Sequence, residues 1–460
     1  MYKKALFLFR RDLRLDDNTA LREACTSAET VVLGFVFDPR QTDTTKNEYF
    51  SEQGFAFLAQ SLAELEKEIA DQGGKLFFFS GESHQVVASL IEDDGIDAVF
   101  LNRDYTPFAR ARDEAIQKRA TKGGVSTVLC DDYTLSPVID IKTDSGKPYS
   151  VFTPFFKKAS SFEVHEPIKN IATNFFSGKI KTAHSELQDH QTFLNKKLTL
   201  PPGRSAGLRA LEGLANLRNY AVSRDLLAEY GTSQLSPHHK YGTVSIRETH
   251  HAMKRHHFDT AQFIAELYWR DFYFHIAYHF PFVFTKSFLP WAEHLAWVND
   301  EIQFQAWKEG RTGVPVVDAG MRQMNKTGWM HNRARMIVAS FLTKNLLIDW
   351  RWGEKYFASR LVDYDPASNN GGWQWSASVG ADPRPLRIFN PYTQAQKYDP
   401  DACYIKRWVP ELGTVDSALL TDGKERDFSV LAPEYARPIV SCRETYHRAR
   451  EVYAQAKRYE

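Results

Sequence analysis

The sequence predicts a two-part fold: an α/β N-terminal domain on a parallel, Rossmann-like sheet, then an all-α domain. Three observations carry this. Over residues 1 to about 130, short apolar runs alternate with amphipathic stretches. From Gly207 onward strand-like runs nearly vanish, and apolar residues recur at helical spacing. Between these parts, residues 131–200 lose both patterns and carry turn signals such as Asp144-Ser145-Gly146-Lys147-Pro148. A chain of 460 residues also exceeds what one hydrophobic core usually holds. The expected boundaries are 1–130 for the α/β domain, 131–200 for a connector and 201–460 for the helical domain.

In chain order, residues 5–9, 31–37, 75–79, 98–102 and 126–129 read as strands, because each is mostly apolar without alternation, as in a sheet covered on both faces. Between them, residues 53–70 place Phe57, Leu58, Leu62, Leu65 and Ile69 at helical spacing. No Gly-x-Gly-x-x-Gly follows the first strand, so the usual dinucleotide fingerprint is absent. The strand runs instead into Arg10-Arg11-Asp12-Leu13-Arg14. The second part has periodic segments at 207–229, 260–280, 315–327 and 329–349.

Composition narrows the function classes. With 58 basic against 57 acidic residues, no global charge marks a nucleic-acid binder, so any basic patch is local. Cys25, Cys130, Cys403 and Cys442 stand far apart with no zinc spacing, which favours a reducing compartment and neither a disulfide framework nor a zinc site. The apolar run at 5–9 meets Arg10, Arg11 and Asp12 at once, unlike a secretion signal. No stretch approaches the roughly 20 apolar residues of a membrane span. A cytoplasmic monomer without membrane attachment is expected.

Four segments carry chemistry. Gly231-Thr232-Ser233-Gln234-Leu235-Ser236-Pro237 gathers hydroxyls before a helical stretch. Taken alone it reads first as a capped helix start and second as an anion site. Glu266, Trp269, Arg270 and Tyr273 recur at i, i+3, i+4 and i+7, giving one helix face an acid, a base and two aromatics. That face suits either a helix–helix ion pair or the wall of a pocket for something flat and polar. In Trp329-Met330-His331-Asn332-Arg333-Ala334-Arg335-Met336, residues Asn332, Arg335 and Met336 share a face and Arg333 points elsewhere. Around it, Lys326, Arg333, Arg335, Lys344, Arg351 and Lys355 face only Asp349 and Glu354, a local basic bias suited to phosphates. Finally, Asp363-Tyr364-Asp365-Pro366-Ala367-Ser368-Asn369-Asn370-Gly371-Gly372-Trp373-Gln374-Trp375 is a polar, glycine-bearing loop at which backbone can approach a ligand. Asp363 and Asp365 lack a third ligand at metal spacing, so no metal is expected.

These motifs resemble the DNA photolyase and cryptochrome family, specifically its class I cyclobutane pyrimidine dimer photolyases. The likeness runs from Arg10-Arg11-Asp12-Leu13-Arg14 to Arg387-Ile388-Phe389-Asn390-Pro391 and is most specific at 329–333 and 369–375. The resemblance implies an FAD cofactor, active as reduced FADH⁻, and UV-damaged DNA as partner. It implies that Tyr220, Thr232, Ser233, Gln234, Leu235 and Ser236 surround the FAD phosphates. Asn332, Arg335, Asp363, Asp365 and Asn369 would surround the isoalloxazine and adenosine, with Asn369 beside flavin N5. Arg335 and Asp363 would form a buried ion pair. Glu266, Met336 and Asn369 are the implied catalytic residues. Trp269 and Trp375 would pack a flipped dimer, and Arg270, Tyr273, Asn332, Arg333 and Arg387 complete the implied DNA contacts. Trp373, Trp350 and Trp297 match the family's electron-transfer tryptophans.

Departures and rivals are also legible. Folate-binding members resemble this chain but carry an acid before the Arg-Ala-Arg-Asp segment; here it is Phe108-Ala109-Arg110-Ala111-Arg112-Asp113. A second, antenna chromophore of folate or deazaflavin type is therefore left open. Asn369 argues against a cryptochrome-type receptor, where the resemblance would call for Asp or Cys. A (6-4) photolyase would place histidines at Asn332 and Met336.

Overall fold

The computed structural model describes residues 1–383 and 385–459. Contacts group the chain into two compact units. Unit 1 comprises Met1–Tyr149, Thr153–Arg218 and Ser233–His279; unit 2 comprises Ser150–Phe152, Asn219–Thr232 and Phe280–Glu460.

Unit 1 holds β1 (Tyr2–Phe9), α1 (Thr19–Ser27), β2 (Ala28–Phe37), α2 (Glu52–Asp71), β3 (Leu76–Ser80), α3 (Ser83–Asp94), β4 (Ala98–Asn102), α4 (Pro107–Lys122) and β5 (Ser126–Cys130). The strands form one parallel sheet in the order β3-β2-β1-β4-β5, with Phe7 opposite Leu33 on one side and Phe100 on the other. All five predicted strands lie within three residues of their expected starts. Both sheet faces are covered: Phe7, Leu33 and Phe78 pack in one apolar cluster, Leu6, Val32 and Phe77 in another. Helix starts are fixed by side chains: Asn18, Ser51 and Thr106 accept from Leu21, Gly54 and Ala109 N–H groups. Strand order reverses between β1 and β4, and Asn102 at the end of β4 ties that point together. Its amide donates to Asp12 at 2.6 Å and Asn18 at 2.8 Å, and its oxygen accepts from Ala20 N–H.

The same unit adds α5 (Ser236–Tyr241), α6 (Ile246–Lys254) and α7 (Ala261–His279). This differs from a helical domain running over 201–460, and the reason is polar. Asp271 on α7 is fully buried and accepts from the Leu135 and Ser136 N–H groups and the Ser136 hydroxyl. Arg247 on α6 bonds Asp17 at 3.0 Å and Asp132 at 2.8 Å. These buried bonds tie α6 and α7 to the unit that carries their partners.

Unit 2 is helical: α8 (Pro315–Thr327), α9 (Asn332–Ser340), α10 (Trp350–Arg360), α11 (Pro366–Ser376) and α12 (Cys442–Ala456) are its main elements here. Its core includes Trp307, Met321, Ile337, Leu342, Trp350, Phe357 and Trp373. The segment expected at 329–349 is not one helix. After α9 the chain widens into a π-helical turn at Phe341–Asn345.

Candidate flavin and DNA site

In unit 2 the polar face is built by α9, α10 and α11. α11 begins at Asp365, whose carboxylate accepts from Ser368 N–H at 2.9 Å, with Pro366 in the first turn. From Pro366 on, the predicted polar loop is thus a helix of about three turns. Asn369 projects from it, and its amide donates to the Glu354 carboxylate at 2.9 Å and to the Glu354 carbonyl at 3.1 Å. Glu354 is 6 % exposed. Burial pushes its carboxyl up to about 7, against weaker lowering by its bonds to Asn369 and Tyr364.

Arg335 Nη2 lies 2.9 Å from Asp363, and its Nε donates to the Met330 carbonyl. The expected ion pair is therefore formed. Asn332 and Met336 sit one turn apart, amide to sulfur 3.9 Å, on an accessible face of α9. His331 caps α9, with Nδ1 accepting from Arg333 N–H at 3.1 Å. It is buried, and desolvation holds it down to about 4, so it is neutral. That tautomer leaves Nε2 carrying a proton with no partner. Arg333 Nε and Trp375 Nε1 are likewise buried donors without a partner among the described residues. For a flavin, the fit rests on the donor set: the Arg335 guanidinium beside Asp363 and the Asn369 amide beside Glu354 suit a heteroatom-rich ring.

Other expected residues are placed differently from a free binding surface. Arg333 pairs with Asp225 at 2.7 Å and stacks 4.2 Å over the Tyr398 ring. In unit 1, Arg270 donates to the Tyr133 carbonyl and lies 4.7 Å over Phe274. The local basic bias is largely answered inside the fold: Arg351 bonds Glu293 and Asp349, and Lys344 is buried. Arg387 is exposed.

Glu266, Trp269, Arg270 and Tyr273 form one half-exposed stripe of α7, opposite buried Phe263, Leu267, Asp271 and Phe274. Glu266 accepts from Gln262 at 2.8 Å, and Trp269 leans on Tyr273 with ring centroids 5.8 Å apart. Of the phosphate segment, Ser233 to Ser236 lead into α5, which has no side-chain cap. The helix start is thus where it was expected, but without the side-chain cap. Gln234 adopts φ +53°. Tyr220 and Thr232 are in unit 2, with the Arg224 guanidinium 5.7 Å from the Tyr220 ring centroid. Trp373 and Trp350 are buried and Trp297 is half-exposed. Trp373 contacts Phe357 at 4.9 Å and Trp307 at 6.1 Å between ring centroids.

Sequence reasoning missed Glu354 and Asp225. A signal existed for the first: Trp350, Gly353, Glu354 and Phe357 form the buried stripe of α10, so an acid stands where an apolar residue belongs. Asp225 lies 108 residues from Arg333, and no local pattern announces it.

A family model for the FAD-binding domain of DNA photolyase matches residues 263–455, and one for the DNA photolyase domain matches 5–172. A deoxyribodipyrimidine photo-lyase of Synechococcus sp. is 38 % identical over 439 residues, spanning 91 % of this chain and 90 % of that one. The chain belongs to the DNA photolyase family. Among solved photolyases, that of Sulfolobus tokodaii, which holds two FAD molecules, superimposes with a TM-score of 0.88 at 39 % identity, covering 98 % of this chain and 100 % of that one. A class III photolyase from Agrobacterium tumefaciens gives 0.90 at 34 % identity, covering 100 % and 98 %. As in those photolyases, a parallel sheet precedes helices. Among the described residues, no helix is long and apolar enough to cross a membrane.

Proposed function

We propose that this photolyase repairs cyclobutane pyrimidine dimers in UV-damaged DNA, using light and FAD. The observation that carries the lesion class is the accessible face of α9. It presents Asn332 and Met336, and the neighbouring His331 is buried and neutral. The (6-4) lesion requires a proton for a departing hydroxyl, and neither Asn332 nor Met336 can donate one. A dimer needs only an electron out and back.

When bound, reduced FAD supplies the light-driven electron. The protein's own groups do the rest. Arg335, held by Asp363, and Asn369, held by Glu354, present a cation and a neutral amide to the flavin; neither repels an anionic ring. Tyr220, Thr232, Ser233, Gln234, Leu235, Ser236, Asn332 and Asp365 are assigned to the rest of the cofactor. Glu266, Trp269 and Tyr273 on α7, and Trp375 and Arg387 in unit 2, are the proposed DNA-facing groups. Arg270 and Arg333 are omitted, because their guanidiniums answer carbonyl and carboxylate partners within their own units. Trp373, Trp350 and Trp297 are assigned to electron supply. A second chromophore of folate or deazaflavin type belongs to unit 1 in this reading, and chromatography of released chromophores identifies it. The protein acts as a cytoplasmic monomer.

The test is repair of defined oligonucleotides carrying a thymine cyclobutane dimer or a (6-4) photoproduct, in light and in darkness. Light-dependent repair of the dimer alone is expected. Repair of the (6-4) lesion without dimer repair would overturn the assignment.

A further inference from the structure

Lys344 is buried where none of the chemistry above uses it. It sits in the π-helical turn Phe341–Asn345 and is 2 % exposed. Such widened turns recur where a side chain is redirected for function. Its ammonium donates to the Ser376 carbonyl at 2.7 Å and to the Arg387 carbonyl. Just before it, Ser340 Oγ accepts from Phe389 N–H at 3.3 Å. Ser376 is the last residue of α11, and Arg387 lies at the far end of the loop that follows. One buried charge thus closes both ends of that loop.

The loop is held at further points. Ser378 and Asp382 have φ of +62° and +56°, a conformation that non-glycine residues keep only where their surroundings impose it. The Asp382 carboxylate accepts from Phe152 N–H at 3.1 Å, and its own N–H donates to the Ser150 carbonyl. Ser340, Lys344, Trp375, Ser376, Asp382 and Arg387 line one small cavity.

We propose that Lys344 is a positioning residue for DNA recognition, its ammonium tying the Ser376 backbone to the Arg387 backbone so that Trp375 and Arg387 meet the damaged strand from fixed places. This rests on the reading of Trp375 and Arg387 as DNA contacts. Charge makes the clamp strong, since bonds from an ionised donor are about twice as strong as neutral ones. Burial, and then the Arg387 guanidinium, bring Lys344 down to about 7. Asp382 shares the cavity, and from α12 Arg448 donates to the carbonyl of the next residue, Asn345, at 2.7 Å. A DNA phosphate on Arg387 offsets the second of these two causes, while burial, the first, remains. Lys344 then takes up a fraction of a proton as DNA docks.

The experiment is titration calorimetry of the flavin-loaded protein with a dimer-containing oligonucleotide near pH 7, in two buffers of different ionisation heat. Wild type takes up a fraction of a proton on binding. K344M binds about tenfold more weakly, the loss of a charge-assisted clamp, and takes up none. K344R keeps the donors without titrating near neutrality, so it restores binding but not uptake. R387A tests the underlying reading: weaker binding with a shallower salt dependence supports the loop as a DNA contact. If R387A binds as wild type does, the DNA-contact reading fails and this inference fails with it. If R387A is weakened but K344M retains wild-type affinity and uptake, the clamp alone is refuted. If K344M does not fold, uptake by wild type and its loss in K344R decide. Absence of uptake in wild type refutes the clamp's titration.

Discussion

Replacing Glu354 by glutamine should stabilise the protein above neutral pH and change little below pH 5. In the folded state Glu354 is buried beneath Asn369, and its carboxyl titrates at about 7 instead of 4.5. A folded pKa above the unfolded one means that the native state holds the proton more tightly. The associated stability is present in full below about 4.5 and is lost as pH rises through about 7. That interval corresponds to about 3 kcal/mol, the work of keeping an ionised carboxylate in this site. Glutamine keeps the oxygen that accepts from Asn369 and never ionises. Urea unfolding of wild type and E354Q at about pH 5 and about pH 8.5 measures the difference. A stability gain of the order of 3 kcal/mol is expected at the higher pH only. An equal shift at both pH values, of either sign, would show that packing and not ionisation governs the site.

Three further outcomes follow from named contacts. R335A strands the buried Asp363 and should lower stability by about 2 kcal/mol, less than a fully buried pair because a quarter of the Arg335 side chain is exposed; D363N on the R335A background should recover part of this, read by thermal unfolding and flavin retention. Trp297→Phe should block photoreduction of oxidised flavin yet spare repair by chemically pre-reduced protein, followed by flavin absorbance; equal repair failure in both states refutes its electron-supply role. Glu266→Ala should weaken dimer repair more than binding to undamaged DNA, since a carboxylate has no attraction for phosphates; equal losses would make it a structural residue.

The sheet was legible because five apolar runs alternating with helices call for a parallel sheet, and β1 to β5 fall where those runs lie; the strand order, which such a rhythm leaves open, was not. Helix continuity was less legible. The stretch 207–229 breaks into Arg204–Glu212, a tight turn at Gly213–Asn216 and the single turn Tyr220–Ser223. Apolar spacing survives such breaks, so periodicity reports a face and not an unbroken ladder of hydrogen bonds. In the site, residue types were readable but pairings were not. Arg335 with Asp363 came from resemblance; Arg333 with Asp225 and Asn369 with Glu354 came from neither composition nor spacing. Lys344 looked like one charge in a basic bias, and only burial separates it from the others.

The dispersal of unit 1 along the chain has a consequence for synthesis. Its last segment, Ser233–His279, delivers Arg247 to Asp17 and Asp132, and Asp271 to the backbone of Leu135 and Ser136. On a ribosome that has made only 200 residues, the sheet strands are all present and Asp132 already has Arg14 and Thr19, yet the Leu135 and Ser136 N–H groups lack Asp271, and Asp17 and Asp132 lack Arg247. The polar contacts of the first unit are thus completed only when residue 279 has left the exit tunnel. A vectorial process that starts at the N-terminus therefore cannot finish its first unit first, and a gene cut at the end of the sheet would encode a fragment lacking its own polar seal.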